Sequence, residues 1–147
     1  MASQTHEPRG SARLWALTRR QEGVVSTRQL LDAGFTRAAV KHRVGAGRLH
    51  RKARGVYAVG RPDIGRHGEM WVAVLACGPQ ASISHETGCE LYGVRRRNRG
   101  PIEVSVPARA RRHRAGIRVH NRRVLEGDVT THRRVPVTSL PLTLIDT

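Results

Sequence analysis

Aromatic side chains are almost missing from this chain: Trp15, Phe35, Tyr57, Trp71 and Tyr92 are the only ones in 147 residues. That scarcity argues against modules that read RNA or single strands by stacking bases on exposed rings. Lysine is scarcer still, with only Lys41 and Lys52. Cysteine is limited to Cys77 and Cys89, which excludes a disulfide framework and is consistent with a reducing cytoplasm. No long apolar run occurs. The longest, Trp71–Cys77, is far below the ~20 residues needed to cross a bilayer, and the polar start Met1–Gly10 does not resemble a signal peptide and reads as a disordered tail. The expectation is a cytoplasmic protein with no membrane partner.

What the chain has in excess is arginine. The formal charge of +16 and a pI near 11.8 lie far outside the range of an ordinary soluble enzyme and point to an acidic polymer as partner. Arginine suits bidentate contact with phosphate and guanine. The charge is patchy. Residues 35–60 hold seven Arg or Lys and no Asp or Glu, and residues 95–123 hold eleven arginines against Glu103 alone. Between and after these blocks the chain is close to neutral. A length of 147 residues fits one domain or two small ones.

The first block reads FTRAAVKHRVGAGRLHRKARGVYAVG. At 100° per residue, Val40 and Val44 share one side of a helix, while Arg37, Ala38, Lys41, His42 and Gly45 share the other. Thr36 is a suitable N-cap, Phe35 can staple onto Val40, and Gly45–Gly47 end the helix. Arg48–Arg51 and Val56–Val59 then read as two strands around the turn Lys52–Gly55. Upstream, Ser26-Thr27-Arg28-Gln29 is a capping box, with Val25 and Leu30 placed as a second staple. A helix from about Ser11 to Glu22 precedes it, with Leu14, Leu17 and Gln21 on one side. Helix, short helix, glycine turn, basic helix and basic hairpin is the order of a winged helix–turn–helix, whose second motif helix enters the DNA major groove. A solvated basic face would show much of the same charge pattern, so the fold and the partner need the structure.

Downstream, Arg61–Gly68 reads as a linker. Glu69–Cys77 reads as an apolar helix, Ser82-Ile83 as extended, and Ser84 as the cap of a short helix carrying Cys89, Leu91 and Tyr92. Pro101–Pro107 alternates as a strand, with Gly116–His120 as its partner across the arginine-rich loop Ala108–Arg114. Val135–Val137 is a third strand, and Thr138-Ser139 cap a final helix.

Gly47-Arg48-Leu49-His50, with Arg54-Gly55-Val56-Tyr57-Ala58-Val59-Gly60, resembles the wing of the AbiEi-type antitoxin domain. That domain is the winged-helix regulator of type IV toxin–antitoxin (abortive infection) systems. Ala73–Gly78, Ile83-Ser84-His85, Leu91–Val94, Pro136–Ser139 and Thr143–Asp146 extend the resemblance over nearly the whole chain. The resemblance implies an autorepressor of its own operon, with a genetically linked toxin whose direct contact is left open. It also implies that longer relatives continue into a domain similar to very-short-patch-repair endonucleases. Leu140 and Leu142 stand where those relatives often carry proline and arginine, so the chain reads as the front part of such a protein, natural or truncated.

The resulting expectation is an α+β protein. It has a disordered tail at 1–10, a winged helix–turn–helix at 11–60, a linker at 61–68, and a small mixed domain at 69–147 with an incomplete last helix. Recognition-helix candidates are Arg37, Lys41, His42 and Arg43; wing candidates are Arg48, Arg51, Lys52 and Arg54. Arg95, Arg96, Arg97, Arg111 and Arg112 are candidates for further phosphate contacts. The expected partner is double-stranded DNA, the protein's own operator or an inverted repeat, bound by one copy or by two. Two other readings stay open: the recognition part of a nuclease whose catalytic part lies elsewhere, and a sequence-blind nucleic-acid binder. No cofactor or metal is expected, since His85, Cys77 and Cys89 lack a paired C-x-x-C and read better as core residues. No catalytic residue is expected either. Neither lysine follows an acidic residue at nuclease spacing, and Glu126 and Asp128 flank Gly127 in what reads as a solvated turn.

Overall fold

The computed structural model describes residues 8–107, 115–123 and 125–147, and the chain divides into two compact units, Met1–Gly68 and Glu69–Thr147. In the first, α1 (Ser11–Arg20) leads into β1 (Val24–Ser26), α2 (Thr27–Asp32), α3 (Arg37–Gly45), β2 (Leu49–Ala53) and β3 (Val56–Val59). The strands form an antiparallel sheet in the order β1-β3-β2. This is a winged helix–turn–helix in which Val24–Ser26 adds a third strand to the expected hairpin.

Local chemistry explains the boundaries. The Ser26 hydroxyl accepts from Gln29 N–H while the Gln29 side chain accepts from Ser26 N–H, a complete capping box at α2. Gln29 also exchanges amide hydrogen bonds with the buried Gln21, which donates to Val24 C=O, so α1, β1 and α2 are joined by one satisfied polar network. Thr36 accepts from Ala39 N–H and caps α3. Leu14, Val25, Leu30, Phe35, Val40 and Leu49 make the core of the unit. Burial of side chains of this kind stabilises by about 1.5–3 kcal/mol each. Val44, expected beside Val40, is instead exposed at the end of α3.

Two boundaries differ from the expectation. Within the supposed tail 1–10, Pro8 C=O accepts from Ser11 N–H and Gly10 C=O from Leu14 N–H, so residues 8–10 form the entry to α1. Residues 1–7 lie outside the described residues. The supposed linker 61–68 is shorter than expected, because α4 (Arg66–Cys77) already begins at Arg66. A Cβ at Gly68 would come within 2.8 Å of the Ile64 Cβ, so glycine here admits close approach rather than breaking the helix.

The second unit is a five-stranded sheet in the order β6-β5-β4-β8-β7, built from β4 (Ser82–Ile83), β5 (Ile102–Pro107), β6 (Ile117–Arg122), β7 (Val129–His132) and β8 (Val135–Thr138). One face carries Ile83, Val104, Val106, Val135 and Val137, packed with Met70, Ala73, Val74 and Cys77 of α4. The other carries Glu103 and Ser105, met by Ser84 and Thr87 at the start of α5 (His85–Leu91). Thr138 of β8 meets Thr143 of α6 (Leu140–Ile145) on the same side. The expected partner of β5 is present, but the pair is parallel, with Ile102 opposite Ile117 and Pro107 opposite Arg122. Alternation of apolar residues is the same read in either direction, so it identifies the pair and not its sense. The loop Ala108–Arg114 lies outside the described residues. Among the described residues no helix is long and apolar enough to cross a membrane.

The expected helix caps of this unit work differently. Neither Ser84 nor Ser139 caps with its side chain. The first turn of α5 is capped by a carboxylate from the sheet, with Glu86 N–H donating to Glu103 at 2.9 Å. Ser84 accepts from Ser105 and contacts His85 Nδ1.

Candidate nucleic-acid interface

The first unit brings its cations together where α2, the start of α3 and the wing meet. A cleft of about 580 Å³ is lined there by Thr27, Arg28, Leu31, Asp32, Arg37, Arg51, Arg54, Gly55 and Tyr57. All four arginines are exposed, and among the described residues none is held in an ion pair or side-chain hydrogen bond. Asp32 is the one carboxylate in the lining. Four guanidinium groups around one concavity repel each other, and a polyanion relieves that repulsion through charge-assisted hydrogen bonds.

The backbone holds the cleft in shape. Thr27 N–H donates to Gly55 C=O at 2.8 Å, which ties the wing turn to the first residue of α2. Gly55 sits at φ +72°, a conformation in which only glycine is unstrained. A register irregularity between Arg51 and Ala53 marks a bulge in β2 beside that turn. At the far end of the wing, Gly60 N–H donates to Arg48 C=O, and His50 Nε2 lies 3.2 Å from Gly60 C=O.

The sequence-derived candidates divide into groups. Arg37, Arg51 and Arg54 meet in the cleft. Lys41 and His42 are exposed further along α3, Lys52 is exposed on β2, and Arg48 is exposed in the turn after α3. Arg43 is different: half-buried, its guanidinium lies 4.9 Å from the Phe35 ring and 5.9 Å from the Trp15 ring. Those rings meet edge to face at 5.8 Å, so the Arg43 guanidinium packs over the aromatic edge of the core. Arg28, on the first helix of the motif, was missed because only three-dimensional proximity places it beside the wing. Its position directly after the capping-box serine and threonine was the available signal.

The candidates of the second unit are differently placed. Arg95 makes a two-pronged ion pair with Glu86 at 2.7 and 2.8 Å, and Arg97 lies 3.7 Å from Glu69. Arg96 is exposed, and Arg111 and Arg112 lie outside the described residues. Cys77 and Cys89 are buried and not joined in a disulfide. Among the described residues no group of three or more His, Cys, Asp or Glu is placed to hold a metal ion. His85 stacks on His120 at 3.7 Å, and its pKa is lowered by burial first and by His120 second. Tyr92 donates to Thr138 C=O, and burial raises its pKa.

A search of curated proteins finds no match to this chain. A family model described as "Transcriptional regulator, AbiEi antitoxin" matches residues 13–60, the span from α1 through the wing. Residues 13–60, from α1 through the wing, are therefore similar to the AbiEi antitoxin family of transcriptional regulators.

Proposed function

We propose that the chain is a sequence-specific binder of double-stranded DNA that represses its own operon as the antitoxin of a type IV toxin–antitoxin system. One observation carries the reading: four exposed arginines, with no ion-pair partner among the described residues, converge on one cleft between the helix–turn–helix and its wing, inside the segment that matches the regulator family. Arg28, Arg51 and Arg54 grip phosphates at the cleft. The exposed face of α3, with Arg37, Lys41 and His42, reads base edges in the major groove. In this reading the chain performs no chemistry on the nucleic acid. Glu126 and Asp128 sit around a turn, with Asp128 N–H bonded to Leu125 C=O and the Asp128 carboxylate accepting from Leu125 N–H.

Footprinting on the DNA upstream of the protein's own gene tests this. Protection of a discrete site that survives excess unrelated duplex is expected. Protection that disappears with equal amounts of any duplex would replace the regulator with a sequence-blind binder.

A further inference from the structure

We propose that the outer edge of β7 is the docking surface for a second copy of this chain, with the two β7 strands pairing antiparallel about a two-fold axis at Thr130. β7 is one edge of the five-stranded sheet and β6 is the other. The β6 edge carries Arg118 and Arg122, charged residues of the kind that discourage strand addition. β7 reads Val-Thr-Thr-His, is mostly exposed, and has no charge, proline or bulge. Beside it Leu125 and Val129 are 59% and 38% exposed.

The register determines which backbone groups are free. Arg133 and Arg134, at φ 48° and 68°, form a two-residue turn between β7 and β8, so His132 and Val135 close the hairpin as a hydrogen-bonded pair. By alternation Thr130 also bonds toward β8, and Ser139 N–H donates to Asp128 C=O at 2.7 Å in the same phase. Val129 and Thr131 therefore present their N–H and C=O groups outward. An axis at Thr130 sets Val129 against the partner's Thr131 and Thr131 against the partner's Val129, which satisfies these groups.

Charge identifies the occupant. Glu126 and Asp128 precede β7 and Arg133 and Arg134 follow it, so the segment is complementary to itself when reversed. With the axis at Thr130, Asp128 faces the partner's His132 and Glu126 faces the partner's Arg134. Over most of its surface a chain of net charge +16 repels its own copy. Here acidic and basic residues are mixed, so the repulsion is locally reversed. The contact is short, below the ~1,000 Å² of a stable interface, so the dimer is weak in free solution.

Disulfide trapping of the full chain without DNA tests this independently of the proposed function. At the axis, two Thr130→Cys residues would lie at a non-hydrogen-bonded position with Cα atoms ~4.5 Å apart, within disulfide reach. Two Thr131→Cys residues would lie about 8 Å apart on the diagonal, beyond it. Cys77 and Cys89 are buried and can stay. Under mild oxidation Thr130→Cys is expected to give a disulfide dimer at least tenfold faster than Thr131→Cys. Adding Glu126→Arg should slow it several-fold, and adding Arg134→Glu as well should restore the rate. Equal cross-linking at both positions, no dimer from Thr130→Cys, or failure of the charge swap to restore the rate would overturn the proposal.

Discussion

The amide of Thr27 donates to the carbonyl of Gly55, 2.8 Å away, so the first helix of the helix–turn–helix and the tip of the wing are held by one hydrogen bond. Thr27 is the first residue of α2, where a helix tolerates proline, and Ser26 before it is extended (φ −96°, ψ 157°), as a residue before proline must be. Thr27→Pro should therefore delete the tether and little else. The expected cost in stability is about 0.5–1.5 kcal/mol, with unchanged helical circular dichroism. Duplex affinity should fall further than that loss accounts for. Unchanged affinity would show that the wing needs no anchoring.

Grip and readout separate by mutation. Arg28→Ala and Arg54→Ala should weaken binding to every duplex alike and flatten the salt slope by about one unit each. Lys41→Ala should cost about 1–3 kcal/mol on the specific site and relax discrimination there. Identical behaviour of the two classes in a competition titration would show that α3 does not enter the groove.

Arg43 tests the opposite expectation. Because it lies over Phe35 and Trp15, Arg43→Ala should lower the stability of the first unit by about 0.5–2 kcal/mol while leaving the salt slope unchanged. Chemical denaturation and a salt titration read the two effects separately.

Part of this was legible in the sequence, and the reason differs by element. The capping box at Ser26–Gln29 and the Thr36 cap place α2 and α3 because their chemistry is local. The role of Arg43 was not legible. Helical angles set it at the border of the exposed face, but only the packing of Trp15 beside Phe35 shows that the guanidinium turns back to the core. β7 was missed because Val-Thr-Thr-His is short and its turn is Arg133-Arg134, not a glycine pair. The parallel sense of β5 and β6 was missed because period-two patterning carries no direction. Arg28 and Asp32 joined the cleft only through the fold.

The second unit should lose stability as the pH falls below neutral. Burial, with the neighbouring His120, lowers the His85 pKa below its ordinary 6.5, so between those two values the unfolded chain binds a proton that the native chain does not. Stability is thus full above pH 6.5 and falls as pH drops from there through the folded value. His85 sits at φ +55°, which asparagine tolerates, so His85→Asn should flatten this slope without breaking the start of α5. Thermal melts from neutral pH to about pH 5 check it, and a steeper fall in the variant would assign the effect elsewhere.

Whether the arginine cleft grips a phosphate backbone is tested most directly by duplex affinity measured over a range of salt concentrations. About six phosphate contacts predict that log K falls against log salt with a slope near −5, and that the wild-type slope exceeds that of the Arg28→Ala, Arg54→Ala double variant by about two. A slope shallower than about −2, unchanged in the double variant, would mean that these cations are solvated and that the cleft is not a nucleic-acid site.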